Sequence, residues 1–385
     1  MNLFPHTLRW AFPTLALGLS LAACNSAQNN EAGATATTTP TDSAATTPAD
    51  SATAGPQAVK PAGPPPAWAP NIGPEMLTVI EKLQKLQGPT PPEKLPVAEV
   101  RKAPSATDAT MAVMQDFHVP SPPSPLDTMS KEVAPGVKAR IYMPKGATGP
   151  LPVVVYYHGG GWVIANLDTY DPSVRALTEK TGAIFVSVAY RQAPEHKFPT
   201  AHNDAFAAYQ WVLKNAASIK GDPKRVAVAG ESAGGNLAAA VCMMARDKGA
   251  MQPKHQLLVY PIAGYDMNTP SYQKNANAKP LSKPFMGWFF DKYLRTPADG
   301  KSPMISLVTA PNLKGLAPAT VIGAGIDPLM SEGKTYADKL QAAGIPVTYK
   351  LYENVTHEFF GMGAVVPEAM QAEDLAAGEL KKALQ

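Results

Sequence analysis

The feature that most constrains the fold of this chain is a serine at the tip of a strand–turn–helix segment, residues 225–236 (RVAVAGESAGGN). Residues 226–229 form a short apolar run with β-branched side chains, which is typical of a buried strand. Glycines flank Ser232, and residues 236–245 favour a helix because they are rich in Ala, Leu and Met. Small neighbours leave room for a strained serine backbone. The segment predicts a nucleophile elbow, with an ordinary serine-containing turn as the alternative.

A second stretch, residues 158–162 (HGGGW), follows the apolar run 153–157. Its three successive glycines leave backbone N–H groups that no side chain shields, and such donors can hold a developing oxyanion. A glycine loop of this kind accompanies the nucleophile elbow. A merely flexible glycine turn is the alternative, and the order of the two motifs along the chain argues against it.

The chain order of an elbow serine, then an acid, then a histidine indicates Asp327 and His357 as its partners. His357 is the only histidine beyond Asp327. Asp327 is favoured because it directly follows a clear strand at 319–325, and α/β sheets place site residues just past strand ends. The choice of acid is not forced, because other carboxylic acids also lie between the serine and the histidine: Asp247, Asp266, Asp291, Asp299, Glu332, Asp338 and Glu353.

From residue 130 onward, strand and helix patterns alternate, which predicts a mostly parallel sheet with helices on both faces. The first two strands, near 131–133 and 138–143, are joined too tightly for a crossover and should pair antiparallel. Further strands are expected at 153–157, 184–189, 226–229, 256–260, 320–325 and 347–352, and helices at 172–181, 200–217, 234–247, 332–344 and 367–384.

Segments outside this alternation are candidates for a helical cap. Residues 72–87 and 109–117 place apolar side chains on one helical stripe and precede the first strands. Residues 283–294 (KPFMGWFFDKYL) interrupt the alternation and are strongly aromatic, so they are expected to form a second cap helix. Its rings would line an acyl or alcohol pocket or pack against the first cap helices.

The first 24 residues resemble a bacterial lipoprotein signal. A short apolar stretch at 10–22 follows Arg9 and ends in LAAC, with a polar tract beginning after Cys24. We expect Cys24 to be lipidated and to become the new N-terminus; an ordinary secretory signal cleaved near Ala23 is the alternative. Either signal predicts an exported protein, and the lipid would anchor it to a membrane facing the periplasm or the cell surface.

Residues 25–70 are rich in Ala, Thr and Pro and contain scarcely a large apolar residue, which predicts a disordered tether. The folded domain is then expected over 71–385. The net charge of +3 is small for 385 residues, and no Lys/Arg run is dense enough to indicate nucleic-acid binding. The chain has two cysteines, so no disulfide framework is inferred.

From about residue 71 to its end, the chain resembles the hormone-sensitive-lipase family of α/β-hydrolases, the bacterial family IV esterases. The resemblance implies an α/β-hydrolase fold with an eight-stranded sheet and a two-part helical cap, at about 71–118 and 280–295. It implies Ser232 as nucleophile, Asp327 as acid and His357 as base. The matching motifs are HGGGW at 158–162, YRQAPEHKFP at 190–199, GESAGG at 230–235, IDPL at 326–329 and HEF at 357–359.

The same resemblance implies that the N–H groups of Gly160, Gly161 and Ala233 hold the oxyanion. Glu231 departs from the family, which usually has Asp or Thr there, and we expect its longer side chain to alter the pocket floor. Ala189 also departs, because an acidic residue is common at that position.

These features together predict a serine carboxylesterase that hydrolyses short- to medium-chain esters through an acyl-enzyme, with no metal or organic cofactor. The expected partner is a small-molecule ester, and the oligomeric state is left open. Three alternatives remain: an arylformamidase-like amide hydrolase, an acyl transferase or carbohydrate deacetylase, and a non-enzymatic surface-tethered binding protein.

Overall fold

The computed structural model describes residues 57–121 and 123–385. The expected signal peptide at 1–24, its Cys24, and residues 25–56 of the expected tether lie outside the described residues. Within the described part, no helix combines the length and the apolar character needed to cross a membrane.

Residues 57–70, which we expected to belong to the tether, lie against the folded domain. The Gln57 N–H donates to the Phe117 carbonyl at 2.9 Å, and the Ala62 N–H donates to a Glu81 carboxylate oxygen at 2.7 Å. Ala69 is buried. The expected boundary at residue 71 is therefore too late, because residues 57–70 are held both by these backbone hydrogen bonds and by the packing of Val59, Trp68 and Ala69 against the core.

The centre of the fold is one mixed sheet in the strand order β1-β2-β4-β3-β5-β6-β7-β8. The β1–β2 and β2–β4 pairs are antiparallel, and every other neighbouring pair is parallel. This confirms the expected eight-stranded, mostly parallel sheet. The strands are β1 (Leu126–Ala134), β2 (Val137–Pro144), β3 (Leu151–Tyr157), β4 (Ile184–Ala189), β5 (Gly221–Glu231), β6 (Gln256–Val259), β7 (Ala319–Ile326) and β8 (Val347–Thr356).

Helices cover both faces of the sheet. Alternate side chains of β3 divide between two cores: Val153 and Val155 pack with helices α5, α6 and α10, and Val154 packs with α1, α4 and α11. The helices are α1 (Pro74–Gln87), α2 (Val97–Val100), α3 (Ala106–Asp116), α4 (Asp171–Thr181), α5 (Thr200–Asn215), α6 (Ala233–Asp247), α7 (Pro270–Lys274), α8 (Lys283–Tyr293), α9 (Pro297–Gly300), α10 (Met330–Ala342) and α11 (Pro367–Leu384).

The expected cap segments form helices α1, α3 and α8, and residues from all three line one cavity. Helix α3 begins at Ala106, three residues before the start expected from its apolar spacing. A capping box explains the difference: the Ser105 hydroxyl accepts from the Asp108 N–H, and the Asp108 carboxylate accepts from the Ser105 N–H.

Candidate active site

Ser232 lies between the last residue of β5 and the first residue of α6, with φ 56° and ψ −118°. This strained backbone needs small neighbours. A Cβ at Gly230 would lie 2.2 Å from the Gly234 carbonyl oxygen, and one at Gly234 would lie 1.9 Å from the Tyr157 carbonyl oxygen. The turn therefore requires glycine at both positions, as a nucleophile elbow does.

The structure brings Ser232, His357 and Asp327 together in one hydrogen-bonded series. The Ser232 Oγ lies 2.9 Å from His357 Nε2, and His357 Nδ1 lies 2.7 Å from Asp327 Oδ2. The other Asp327 oxygen accepts the Leu329 N–H at 2.8 Å. Asp327 follows β7 directly and His357 follows β8, so the carboxyl ends of parallel strands place all three residues at one edge of the sheet.

Burial and charge act in opposite directions on His357, which is 3% exposed. Burial alone would lower the pKa of the imidazole. The Asp327 carboxylate and its hydrogen bond, with further contributions from Glu358 and Glu231, raise that pKa above its ordinary value of 6.5. The site therefore favours a proton on His357 more strongly than water does.

The glycine loop and the first residue of α6 lie near the serine. Gly160 and Gly161 have φ values of 87° and 57°, and both line the cavity that contains Ser232. A Cβ at Gly160 would lie 2.3 Å from the Ile164 carbonyl oxygen, and one at Gly161 would lie 2.1 Å from the Phe289 ring. Ala233 is the first residue of α6, where N–H groups have no partner inside the helix and the helix dipole favours negative charge.

His158, in the same loop, is held away from proton transfer. Its ring stacks on Tyr190 with centroids 4.3 Å apart, and its Nδ1 lies 2.9 Å from the Gly159 carbonyl oxygen. Burial lowers the pKa of His158 to about 4, so the ring is neutral at pH 7. These contacts give it a part in shaping the glycine loop.

The Glu231 side chain does not form the pocket floor, and that expectation is wrong. Glu231 is 1% exposed, is not among the residues that line the cavity, and accepts hydrogen bonds from the hydroxyls of Tyr156 and Tyr260. Its burial, with the charge of Glu358, raises the pKa of Glu231 to about 7. As the last residue of β5, it directs its side chain into the buried layer that holds Tyr156 of β3.

Sequence reasoning also missed the tyrosines around this glutamate and the position of Glu358 at the cavity. Glu358 lines the cavity and contacts Tyr170. The available signals were weak: two adjacent tyrosines end β3, and an acidic residue follows His357 directly. Neither pattern shows that the side chains meet.

A cavity of about 430 Å³ opens onto Ser232 and His357. This volume lies within the range of small-molecule sites. In the part of the chain that the structure describes, no group of three or more His, Cys, Asp or Glu side chains could hold a metal ion. The apolar wall of the cavity is formed by Leu83, Leu95, Met111, Ile262, Leu281, Phe285, Met286 and Phe289.

An elbow on a mostly parallel eight-stranded sheet, next to a loop of consecutive glycines, places the chain in the α/β-hydrolase class. A family model described as "alpha/beta hydrolase fold" matches residues 154–361, more than half of the chain. The chain belongs to this family, which confirms the expected fold.

Known proteins with similar sequences and structures include several esterases. Carboxylesterase NlhH of Mycobacterium tuberculosis is 41% identical over 251 residues, covering 64% of this chain and 79% of that protein. Ethyl acetate hydrolase of Pseudomonas putida is 34% identical over 217 residues, covering 56% of this chain and 68% of that protein. The crystal structure of a thermostable esterase from Pseudomonas putida superposes with a TM-score of 0.74 at 33% identity, covering 82% of this chain and 99% of the other.

Proposed function

We propose that this chain is a serine carboxylesterase acting on short- to medium-chain esters, with Ser232 as nucleophile, His357 as base and Asp327 as acid. Ester hydrolysis is the reaction class, because the chain is similar to proteins named carboxylesterase and ethyl acetate hydrolase. The observation that carries the residue roles is the hydrogen-bonded series from Asp327 through His357 to Ser232 at the wall of a cavity lined by both apolar and polar residues.

In the first half of the reaction, His357 Nε2 accepts the Ser232 proton while Oγ attacks the ester carbonyl carbon. Asp327 keeps the proton on Nδ1 and stabilises the imidazolium that forms. The negative charge on the carbonyl oxygen is held by the N–H groups of Gly160, Gly161 and Ala233. The imidazolium then protonates the leaving alcohol, the bond to that alcohol breaks, and the acyl group remains on Ser232.

In the second half, water takes the place of the alcohol. His357 Nε2 accepts a proton from the water as its oxygen attacks the acyl carbon, and the same proton is then transferred to the departing Ser232 Oγ. The free carboxylic acid leaves. Both halves require neutral His357 at the start, so activity should rise as the imidazole loses its proton.

Phe289 sets the expected limit on acyl length. Its ring lies against Gly161, within 2.1 Å of where a Cβ would be, and it lines the cavity. With wild-type protein, we expect hydrolysis of p-nitrophenyl esters to peak at short to medium acyl chains. Phe289→Ala should shift the peak to longer chains, because removing a buried aromatic ring enlarges the apolar pocket. The measurement is kcat/KM across esters from acetate to palmitate.

The matched control for that series is Phe206→Ala. Phe206 is a buried phenylalanine on helix α5 that does not line the cavity, so its replacement should leave the ratio of long- to short-chain activity unchanged. A wild-type peak at palmitate would contradict the short-chain proposal. If Ser232 is labelled by a fluorophosphonate but only amides or acetylated sugars are turned over, the substrate class is an amide or a sugar ester and not a simple carboxylic ester. Absence of fluorophosphonate labelling on Ser232 would favour the alternative of a non-enzymatic binding protein.

We also propose that the protein is exported and carries a lipid on Cys24. The support is the apolar stretch that ends in the LAAC sequence, after which a polar tract begins. The full chain, expressed in a bacterium fed with labelled palmitate, should incorporate label and fractionate with membranes. Cys24→Ala should lose the label. Cys242→Ala is the matched control, because that cysteine is buried in helix α6 and should not affect labelling. Equal labelling of wild type and Cys24→Ala would rule out the anchor at this position.

A further inference from the structure

Glu358 follows His357 directly and has an unusual backbone conformation. Its φ of 69° lies in the left-handed region, which a glutamate adopts only at an energetic cost. Strain of this kind persists where the surroundings hold it, and it is concentrated at functional sites. The Glu358 side chain is 22% exposed and lines the cavity beside Ser232 and His357.

Tyr170 fixes the Glu358 carboxylate. The Tyr170 hydroxyl lies 2.7 Å and 2.9 Å from the two carboxylate oxygens. The same hydroxyl lies against the glycine loop, because a Cβ at Gly159 would be 2.2 Å from it. Tyr170 is itself 3% exposed and directly precedes α4. The carboxylate is therefore held in place relative to the loop that contains the proposed oxyanion donors.

This carboxylate faces the atom that transfers the proton. Glu358 Oε1 lies 3.8 Å from His357 Nε2, too far for a direct hydrogen bond. In the free enzyme, His357 Nε2 is hydrogen-bonded to the Ser232 Oγ. Once Oγ carries an acyl group, Nε2 is free to accept a proton from the attacking water, and Glu358 Oε1 remains beside it.

We propose that Glu358 positions the hydrolytic water during the second half of the reaction, a role that rests on the proposed esterase function. Two acceptors 3.8 Å apart can each receive one O–H of the same water at about 2.8 Å. One O–H points to His357 Nε2 and the other to Glu358 Oε1. The water oxygen is thereby held beside Ser232, where the acyl carbon lies.

The step balances without a further reactant. His357 Nε2 takes one water proton while the water oxygen bonds to the acyl carbon; the bond from that carbon to Ser232 Oγ then breaks, and Nε2 returns the proton to Oγ. The second O–H is not transferred. It donates to Glu358 throughout and leaves as the hydroxyl of the carboxylic acid product. Glu358 therefore acts as an acceptor and not as a base.

The charge on Glu358 is linked to the proton on His357. The net effect of the surroundings is to raise the pKa of Glu358 above its ordinary value: burial raises it most, His357 and the Tyr170 hydrogen bond lower it, and the Asp327 charge raises it again. When His357 takes the water proton it becomes a cation, which favours the negative carboxylate. Glu231, buried nearby with a pKa of about 7, also holds a proton more readily than an ordinary glutamate.

Water has two O–H groups and an alcohol has one, and this difference can test whether Glu358 positions the water. Both can give one O–H to His357 Nε2, but an alcohol has no second O–H for Glu358. The competition between water and methanol for the acyl-enzyme therefore reports on the Glu358 contact, most directly in Glu358→Gln, which keeps the site polar. The ratio of methyl ester to free acid is set after the acyl-enzyme forms, so it does not depend on which half of the reaction is slower.

The experiment compares wild type with Glu358→Met, which removes both carboxylate oxygens and leaves only a weakly accepting sulfur, and Glu358→Gln, which keeps the side-chain shape. Each enzyme is given p-nitrophenyl acetate in buffer containing methanol, and methyl acetate and acetate are quantified. We expect the ester-to-acid ratio to rise about tenfold in Glu358→Met and by a smaller factor in Glu358→Gln. Tyr170→Phe should raise it as well, because the carboxylate loses its tether. Glu353→Gln, an exposed glutamate on β8, is the matched control.

A ratio that stays at the wild-type value in both Glu358 variants, even with slower nitrophenol release, would overturn the proposal. Such a result would mean that Glu358 acts only through His357 or through folding, which slows attack by water and by methanol alike. Wild-type enzyme that releases no nitrophenol at all would instead overturn the esterase function, and the two failures are therefore distinguishable.

Discussion

Replacing Ser232 by alanine should lower kcat for a p-nitrophenyl ester by about 10⁶-fold, the order seen when the nucleophile of such a triad is removed. The Oγ is the atom that bonds to the acyl carbon, and its 2.9 Å contact with His357 Nε2 is the route by which its proton leaves. Without Oγ no acyl-enzyme forms. The remaining donors of the glycine loop can stabilise only a direct attack by water.

The measurement is steady-state hydrolysis together with fluorophosphonate labelling, on protein whose melting temperature is checked against wild type. Ser187→Ala is the matched control: Ser187 is buried in β4 and does not line the cavity. It should be labelled and should turn over at close to the wild-type rate. Retained activity in Ser232→Ala would remove this serine from the mechanism, whereas equal loss in both variants would indicate damage to the sheet.

The elbow and the glycine loop could be predicted from the sequence because their requirements are backbone requirements. At Gly230, Gly234 and Gly160 any Cβ would overlap backbone atoms, so only glycine fits. In the sequence these positions appear as the glycines that flank Ser232 and as the run of glycines that follows His158. The alternation of strands and helices is equally local, since each element buries one face or one run of apolar residues.

The remaining features depend on contacts between residues far apart in the sequence. Chain order left eight carboxylic acids as candidates, and the contact of Asp327 with His357 became apparent only in the structure. The direction of the Glu231 side chain depends on Tyr156, which lies on the neighbouring strand β3, and on Tyr260, which directly follows β6. The packing of residues 57–70 relies on backbone hydrogen bonds and on a few apolar side chains, Val59 and Trp68 among them, whose contacts composition does not reveal.

Asp327→Asn should lower kcat by about 10⁴-fold while the fold persists. Both carboxylate oxygens are acceptors: Oδ2 faces His357 Nδ1, and Oδ1 accepts the Leu329 N–H. An asparagine has one carbonyl oxygen for these two donors. If the oxygen keeps the Leu329 N–H, the amide N–H₂ faces Nδ1 and drives the imidazole proton to Nε2. That tautomer cannot accept the Ser232 proton.

The pH dependence should change together with the rate. In wild type, kcat/KM should rise with pH as His357 loses its proton, with a midpoint above about 6.5 because Asp327 raises the pKa of that imidazole. In Asp327→Asn the charge that raises the pKa is gone while burial remains. The pKa of His357 should therefore fall, and the midpoint of the residual activity should move to lower pH.

Asp338→Asn is the matched control, because Asp338 also lies between the serine and the histidine but is exposed on helix α10, where it pairs with Lys334. It should change neither kcat nor the midpoint. The two readouts separate the possible causes. Loss of rate with an unchanged midpoint would mean that Asp327 only shapes the loop after β7, since a charge acting on His357 must move its titration. Unchanged rate and midpoint would mean that Asp327 is not the acid that acts on His357 Nδ1.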